Sequence, residues 1–444
     1  MSRPILSRWL LGFGFFLLPV AALLLLILLD ALQVRMPARL LEVGPPQARE
    51  WVMPQSAFWR FGWGAQVFVQ RGQADGVGAE FRWVERGELE SASAPEALVR
   101  VRRFDASALF GIPVEVCDGA GCTAWRNQPL TADARLRLEL ADGRQMVLSG
   151  TDIAALDTLN RDGTFKRLGH WLRALAGVVI DAPRNANTEG GMGPALVGTS
   201  MLVLLMSAIV SPLGVFAAIY LYMNQDRGGF ARLARAAISN LAAVPSVLYG
   251  AFVMVAFVYG LGGFIDQTFF AHRLPSPTFG TGGLLWAACA MALLTLPIVV
   301  TVTLEGLERV PQGLIEASLA LGATREETLI RLVLPLARGA FLTGLILAIS
   351  RAAGEVAPLM LVGVVKSAPQ LPLSPDYPYI HLEQKFMHLG HQLYDLAVHA
   401  PSFEAALPML KVCAALLLVI VLSLNLIAFA LRARLIRGME NMLP

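Results

Sequence analysis

Long stretches without charge recur along this chain. Residues 9–29 contain no charged side chain and, at about 1.5 Å per helical residue, are long enough to cross about 30 Å of hydrocarbon. Further apolar runs occupy residues 194–224, 236–265, 281–304, 339–350 with a continuation to 365, and 405–431. Charge interrupts the fifth, and Lys411 sits near the start of the sixth. Six transmembrane helices are expected. Between the first two the pattern changes. Arg135-Leu136-Arg137-Leu138-Glu139-Leu140 alternates strictly, Asp142-Gly143 signals a hairpin turn, and residues 145–148 resume the strand. Residues 97–102 alternate too, and a helical stretch near 165–179 leads back to the membrane through Gly190, Gly191 and Gly193. The division read from this is an N-terminal transmembrane helix over 1–34, a β-rich domain over 35–190, and a transmembrane domain of five helices over 191–444.

Charge orients the spans. Arg3 and Arg8, then Arg227, Arg232 and Arg235, then Arg309, Arg325, Arg331 and Arg338, then Arg432, Arg434 and Arg437 fall on one face of the predicted topology. By the positive-inside rule that face is cytoplasmic, so both termini are expected there and residues 35–190 outside. Arg3 and Arg8 ahead of an apolar run also resemble a signal peptide. The run is too long for one, however, and no small-x-small cleavage site follows, so a retained helix is expected. Composition agrees with a membrane protein: 55% of the 444 residues are hydrophobic and 16% charged. A net charge of +3 gives no support to nucleic-acid binding.

Between the fourth and fifth spans lies Glu316-Ala317-Ser318-Leu319-Ala320-Leu321-Gly322, then nine residues, then Leu332-Val333-Leu334-Pro335. This reads as a helix, a Gly stop, and a second amphipathic helix ended by Pro335. Small residues at 317, 318, 320 and 323 leave a smooth face for close packing. The pattern is similar to the coupling-loop signature of ATP-binding-cassette (ABC) importer permeases, with Ser318 for the usual second Ala and Leu332 for the usual Ile. The resemblance implies an all-α polytopic membrane protein of the type I ABC permease fold. It also implies that the loop, about residues 305–338, docks on a cytoplasmic ATPase through Glu316, Ala317, Ser318, Gly322, Leu334 and Pro335. No Gly-x-x-x-x-Gly-Lys-Ser/Thr phosphate loop occurs in the chain. ATP and Mg²⁺ are therefore expected on a partner, with no cofactor on this chain.

The second constellation is Arg351-Ala352-Ala353-Gly354-Glu355 in the fifth span. Charges there cost about 2.5–3.5 kcal/mol each on insertion scales, so both are expected to face a partner or a water-filled path. Spacing of i, i+4 would put Arg351 and Glu355 on one helical face, either neutralising each other or forming a binding or gating site. A guanidinium fork suits a tetrahedral oxyanion. In the third span Pro245 removes a backbone donor near Asn240, so a bend beside the pathway or a static kink is expected. Residues 238–250, Ile-Ser-Asn-Leu-Ala-Ala-Val-Pro-Ser-Val-Leu-Tyr-Gly, and the Glu-Val-Ala-Pro-Leu that ends at Leu359 resemble the A-subunit (PstA-type) permeases of bacterial phosphate importers. That resemblance implies phosphate as substrate. Its implied partners are a C-type second permease, a dimer of ATP-binding subunits and an extracytoplasmic phosphate-binding protein. Residues 35–190 have no counterpart in compact relatives of that type. The arginine argument by itself admits sulfate or molybdate, and a membrane-anchored sensor is the rival from another class.

Cysteine and histidine change little. Cys289 and Cys413 fall in apolar stretches, while Cys117 and Cys122 flank a four-residue turn and can be bridged in an oxidising compartment. His381, His388, His391 and His399 lack carboxylates or cysteines at ligand spacing, so no metal site is expected and a surface or interface position is.

Overall fold

The computed structural model describes residues 24–32, 38–44, 49–55, 65–72, 80–103, 108–118, 121–125, 130–185, 187–224, 229–368, 370–375 and 377–440. Most of the expected first span, residues 9–29, lies outside the described residues; residues 24–32 form a helix, α1. The chain divides into two compact units, one of Met1–Gly193 with Leu393–Leu416 and one of Pro194–Gln392 with Leu417–Pro444.

The first unit contains two antiparallel sheets. Strands β1 (Leu41–Val43), β2 (Glu50–Pro54), β3 (Gln66–Arg71) and β4 (Glu80–Glu85) pair in sequence order, and a short helix, α2 (Arg86–Glu90), follows. The second sheet runs in the order β10-β5-β6-β8-β9, with β7 on β6. Its strands are β5 (Val99–Arg103), β6 (Leu109–Asp118), β7 (Gly121–Ala124), β8 (Arg135–Glu139), β9 (Gln145–Ser149) and β10 (Ile153–Asp157). Alternation explains the packing. Leu136 and Leu138 are fully buried with Val99, Val101, Leu109 and Leu148, while Arg135 and Glu139 point to solvent. Gly143 adopts φ +79° in the β8–β9 turn, where Asp142 Oδ1 accepts the Arg144 amide proton. Trp51 and Met53 of one sheet share a cluster with Phe110 of the other, so a second core joins the sheets. Cys117 and Cys122 face each other across β6 and β7 and form a disulfide.

Helix α3 (Thr164–Ile180) follows the sheets, and its Trp171 indole donates to the Leu32 carbonyl at the end of α1. Asp30 of α1 pairs with Lys411 at 2.9 Å, which gives the lysine of the last apolar helix a counter-charge.

The second unit is helical. Its elements are α4 (Gly193–Met223), α5 (Gly229–Leu241), α6 (Ser246–Phe269), α7 (Leu284–Glu308), α8 (Gln312–Ala320), α9 (Arg325–Gly354) and α10 (Leu359–Val362); α11 (Leu389–Val398) and α12 (Phe403–Glu440) each belong partly to the first unit and partly to the second. Among the described residues five helices, α4, α6, α7, α9 and the Phe403–Ile427 part of α12, are long and apolar enough to cross a membrane. Helix α7 carries no charge until Glu305 and buries Trp286, Ala287, Ala288, Ala290 and Met291 at 3% exposure or less, so it is surrounded by protein. Small residues permit that. A Cβ on Gly306 would stand 2.1 Å from Ala340 Cβ, and one on Gly344 would stand 3.3 Å from Val299 Cα, so α7 and α9 approach at backbone distance.

Three expectations about these helices need correction. The apolar run 236–265 is not one helix. It breaks at residues 242–245, and Pro245 is the residue before α6, with φ −55° and ψ 133°, instead of a kink inside a span. Pro335 does not end the second coupling helix. Residues Leu329–Val333 widen into a π-helical turn immediately before it, and the helix continues to Gly354; the irregular turn accommodates the missing proline N–H without ending the rod. Lastly, α9 stops at Gly354, so the continuation to residue 365 is a turn and a separate short helix.

Candidate functional site

The turn between α8 and α9 is built from local chemistry. Gly322 adopts φ +92°. Its amide donates to Leu319 O at 3.0 Å, and the Ala323 amide donates to Ser318 O at 3.3 Å, the paired bonds that close a helix with a glycine in the left-handed region. Two residues on, Thr324 starts α9 with a capping box: its hydroxyl accepts the Glu327 amide proton and the Glu327 carboxylate accepts the Thr324 amide proton. Ser318 and Thr328 share a hydrogen bond at 3.0 Å, so the two helices are tied side chain to side chain. That bond gives the serine at 318 a structural role that an alanine could not fill.

One face of this helix pair is anchored. Ile315, Leu329, Val333 and Leu334 pack with Leu304 and Leu307 of α7 and Leu221 of α4. The opposite face is bare among the described residues: Glu316, Ala317 and Pro335 are exposed, and Leu314, Leu321 and Ile330 are 47%, 90% and 63% exposed. Among the described residues nothing lies within 4 Å of where a Gly322 side chain would start. Mechanically, a push on α8 has rigid contacts through which to reach α4, α7 and α9.

Arg351 lies in the last turn of α9 and is exposed, between Ser350 and the fully buried Ala352 and Ala353. A cation at a helix C-terminus is favoured by the helix dipole. Glu355 is the residue after the helix end, with extended backbone (φ −82°, ψ 135°), so it does not share a helical face with Arg351. Among the described residues no ion pair joins the two. The i, i+4 expectation fails because Gly354 terminates the helix one residue too early.

The break at 242–245 and the turn after Gly354 are neighbours. A Cβ on Gly250 would stand 2.6 Å from Pro358 O, and Tyr249, Ala352, Ala353 and Leu359 share one buried cluster with Val244. The Tyr249 hydroxyl donates to Leu241 O at 2.6 Å, satisfying a terminal carbonyl of α5 and bridging the break. Asn240 and Pro245 are both exposed. Two helix ends and the exposed Arg351 thus meet around one tyrosine, the kind of irregular backbone that in a membrane needs protein or water against it. Sequence reasoning missed Tyr249 and also Asn425, which hydrogen-bonds to the Ser350 hydroxyl between α12 and α9. Asn425 had a signal: an amide within an apolar run.

His388 corrects the surface expectation for the histidines. It is fully buried, its Nδ1 accepts the Gly390 amide proton at 3.2 Å, and burial, with His391 nearby, lowers its pKa to about 3. It is therefore neutral at physiological pH.

Against known proteins, residues 210–441 match the family described as binding-protein-dependent transport system inner membrane component. The phosphate transport system permease protein PstA 1 of Mycobacterium tuberculosis (strain CDC 1551 / Oshkosh) is 34% identical over 198 residues, 44% of this chain and 58% of that protein. A probable phosphate transport system permease protein PstA of Methanocaldococcus jannaschii is 32% identical over 190 residues, 42% of this chain and 61% of its own length. The chain thus spans about three-fifths of the length of these relatives. A solved structure described as an inward-facing MetNI methionine ABC transporter is a looser likeness, with TM-score 0.40 and 15% identity over 55% of this chain and 97% of that one. The matched residues run from α4 to the end of α12 and take in the whole helix-Gly-helix segment, and with more than half of its length so matched the chain belongs to the family of binding-protein-dependent transport system inner membrane components.

Proposed function

We propose that this multi-pass membrane protein is the permease subunit of an ATP-driven importer and forms part of a path for inorganic phosphate. The observation that carries the reading is the α8–Gly322–α9 segment: one face is locked to α4 and α7, and the other leaves Leu314, Leu321 and Ile330 exposed among the described residues. A cytoplasmic ATPase is the partner such a segment fits. ATP binding and hydrolysis there would move α8, and the contacts to α4, α7 and α9 would carry the motion to Arg351 and the helix ends around Tyr249. Phosphate is favoured because both relatives described above are named for phosphate transport and because Arg351 offers an exposed guanidinium fork suited to a tetrahedral oxyanion.

In this reading residues 9–29 supply a sixth span, both termini are cytoplasmic, and residues 35–190 stand on the outer side. The Cys117–Cys122 disulfide supports that side, since disulfides persist in oxidising compartments. A second permease, two ATP-binding subunits and a phosphate-binding protein complete the assembly. The test is to extract the chain from native membranes and identify its companions by mass spectrometry. An ATPase with a phosphate loop and a second permease are expected, and their release on Leu321→Asp would place the contact at α8–α9. Extraction of the chain alone from membranes in which an ATPase of this kind is abundant would refute the reading.

A further inference from the structure

A cavity of about 540 Å³ lies in the first unit, walled by β5, β10, α3 and the first turns of α12. Its lining is mixed. Arg100 and Arg102 share a single carboxylate, Asp157: Arg100 Nη2 stands 2.9 Å and Arg102 Nε 3.0 Å from Asp157 Oδ2. Arg184 lines the same cavity, and its Nε is buried without a hydrogen-bond partner among the described residues. Leu159, Ile180, Pro408 and Met409 add apolar surface, and Met53 Sδ accepts from Arg100 Nη1 at 3.5 Å.

Charge is in excess. Around the whole lining Arg100, Arg102, Arg173 and Arg184 stand against Asp157, Asp181 and Glu189, and the lining histidine, His170, is engaged with Asp162 at 3.1 Å. Burial pushes the Asp157 carboxyl up, but Arg100 and Arg102 outweigh it and hold the group below the usual carboxylate range. Asp157 takes Nε and Nη2 of each guanidinium and Arg100 Nη1 reaches Met53 Sδ, which leaves Arg102 Nη1 and Arg184 Nε as donors without a partner among the described residues. Three guanidiniums in one lining suit a tetrahedral oxyanion better than a planar carboxylate. The cavity is far larger than a bare phosphate and of the size that takes small organic ligands, and Ala405, Pro408 and Met409 of its lining belong to α12, whose residues Phe403–Ile427 are apolar enough to span a bilayer.

We infer that this cavity binds a phosphate-bearing amphiphile, with its phosphate group at Arg100, Arg102 and Arg184 and its apolar body against Ile180, Pro408 and Met409. The site is separate from Arg351 and does not depend on what the spans carry. Two sources share this chemistry, a membrane phospholipid and a soluble phosphorylated compound.

Hydrogen exchange on the full chain in neutral detergent tests it, read on peptides covering residues 99–103, 153–157 and 170–184 during titration with dioctanoyl phosphatidic acid, inorganic phosphate or octyl glucoside. Dioctanoyl phosphatidic acid should protect these peptides and octyl glucoside should not. Protection by the lipid alone assigns a membrane source; equal protection by inorganic phosphate assigns a soluble one. Arg184→Gln should weaken the protecting ligand roughly ten-fold or more, as loss of a charge-assisted hydrogen bond does. Ile180→Glu, at a position 76% exposed and therefore tolerant, should weaken it comparably by placing a carboxylate beside the apolar body. Protection by neither phosphate compound, equal protection by octyl glucoside, or undiminished affinity in both variants would overturn the inference.

Discussion

Replacing Gly322 separates two reasons for a glycine at the turn between α8 and α9. Its φ of +92° is a conformation that a side chain disfavours, while the space where a Cβ would sit is empty among the described residues. Gly322→Ala should therefore meet no clash and should cost only backbone strain, about 1–3 kcal/mol. The amides of Gly322 and Ala323 are held by Leu319 O and Ser318 O, so the strain appears as local opening of these two bonds. Amide exchange at Gly322 (now Ala) and Ala323 should speed up roughly five- to a hundred-fold, since 1.4 kcal/mol is tenfold. Gly322→Asn should recover much of the protection because asparagine tolerates positive φ best after glycine. Unchanged exchange in Gly322→Ala, or identical behaviour of Ala and Asn, would refute the strain argument. Transport then reads the second reason: Gly322→Asn that restores the turn yet leaves ATP-driven uptake low places the steric demand on a partner lying over the glycine.

Other expectations follow from the same coordinates. Asp157 has a folded-state pKa below its unfolded value, so its stabilisation is present above about pH 4 and is lost as pH falls through the folded pKa. Asp157→Asn should destabilise the sheet by about 3–5 kcal/mol at neutral pH by leaving Arg100 and Arg102 without their carboxylate. It should also flatten the acid limb of a hydrogen-exchange pH series on residues 153–157; parallel limbs in variant and parent would contradict the assignment. Cys117→Ser with Cys122→Ser removes a cross-link of sequence separation 5, a loop so short that the chain-entropy loss is about 2 kcal/mol. Chemical denaturation should show that modest loss, and failure of the β domain to fold would show that the bridge does more than tether a hairpin. Gly306→Ala must push Ala340 away from a 2.1 Å approach, costing about 1–3 kcal/mol by overpacking. A thermal midpoint in detergent equal to that of the parent would mean that α7 and α9 are not packed at backbone distance.

Features encoded locally were legible in the sequence. Strict alternation placed β8 and β9 and the Asp142-Gly143 turn, because a two-residue period needs no knowledge of the partner strand. The helix-Gly-helix segment was legible because its stop, Gly322, is backbone chemistry within a few residues; the capping box of Thr324 and Glu327 that starts α9 went unread. Features set by tertiary packing were not. A proline ordinarily ends a helix, and only the π turn at Leu329–Val333 carries α9 through Pro335. An uncharged run cannot reveal that it breaks at residues 242–245, since the compensating bond from Tyr249 to Leu241 O comes from the next helix. The i, i+4 spacing of Arg351 and Glu355 assumed a helix that Gly354 ends. Nor does composition announce that His388, polar and in a connecting segment, is fully enclosed.

The central claim is that an ATPase-driven motion of α8–α9 moves phosphate past Arg351. Uptake of labelled phosphate into energised, right-side-out vesicles tests it most directly, comparing cells that lack the chain with cells supplied with the parent or with Arg351→Gln at equal membrane abundance. The account predicts ATP-dependent phosphate uptake that is lost without the chain, restored by the parent, and not restored by Arg351→Gln. Phosphate uptake that persists without the chain while sulfate or molybdate uptake fails would contradict the substrate, and full restoration by Arg351→Gln would contradict the site.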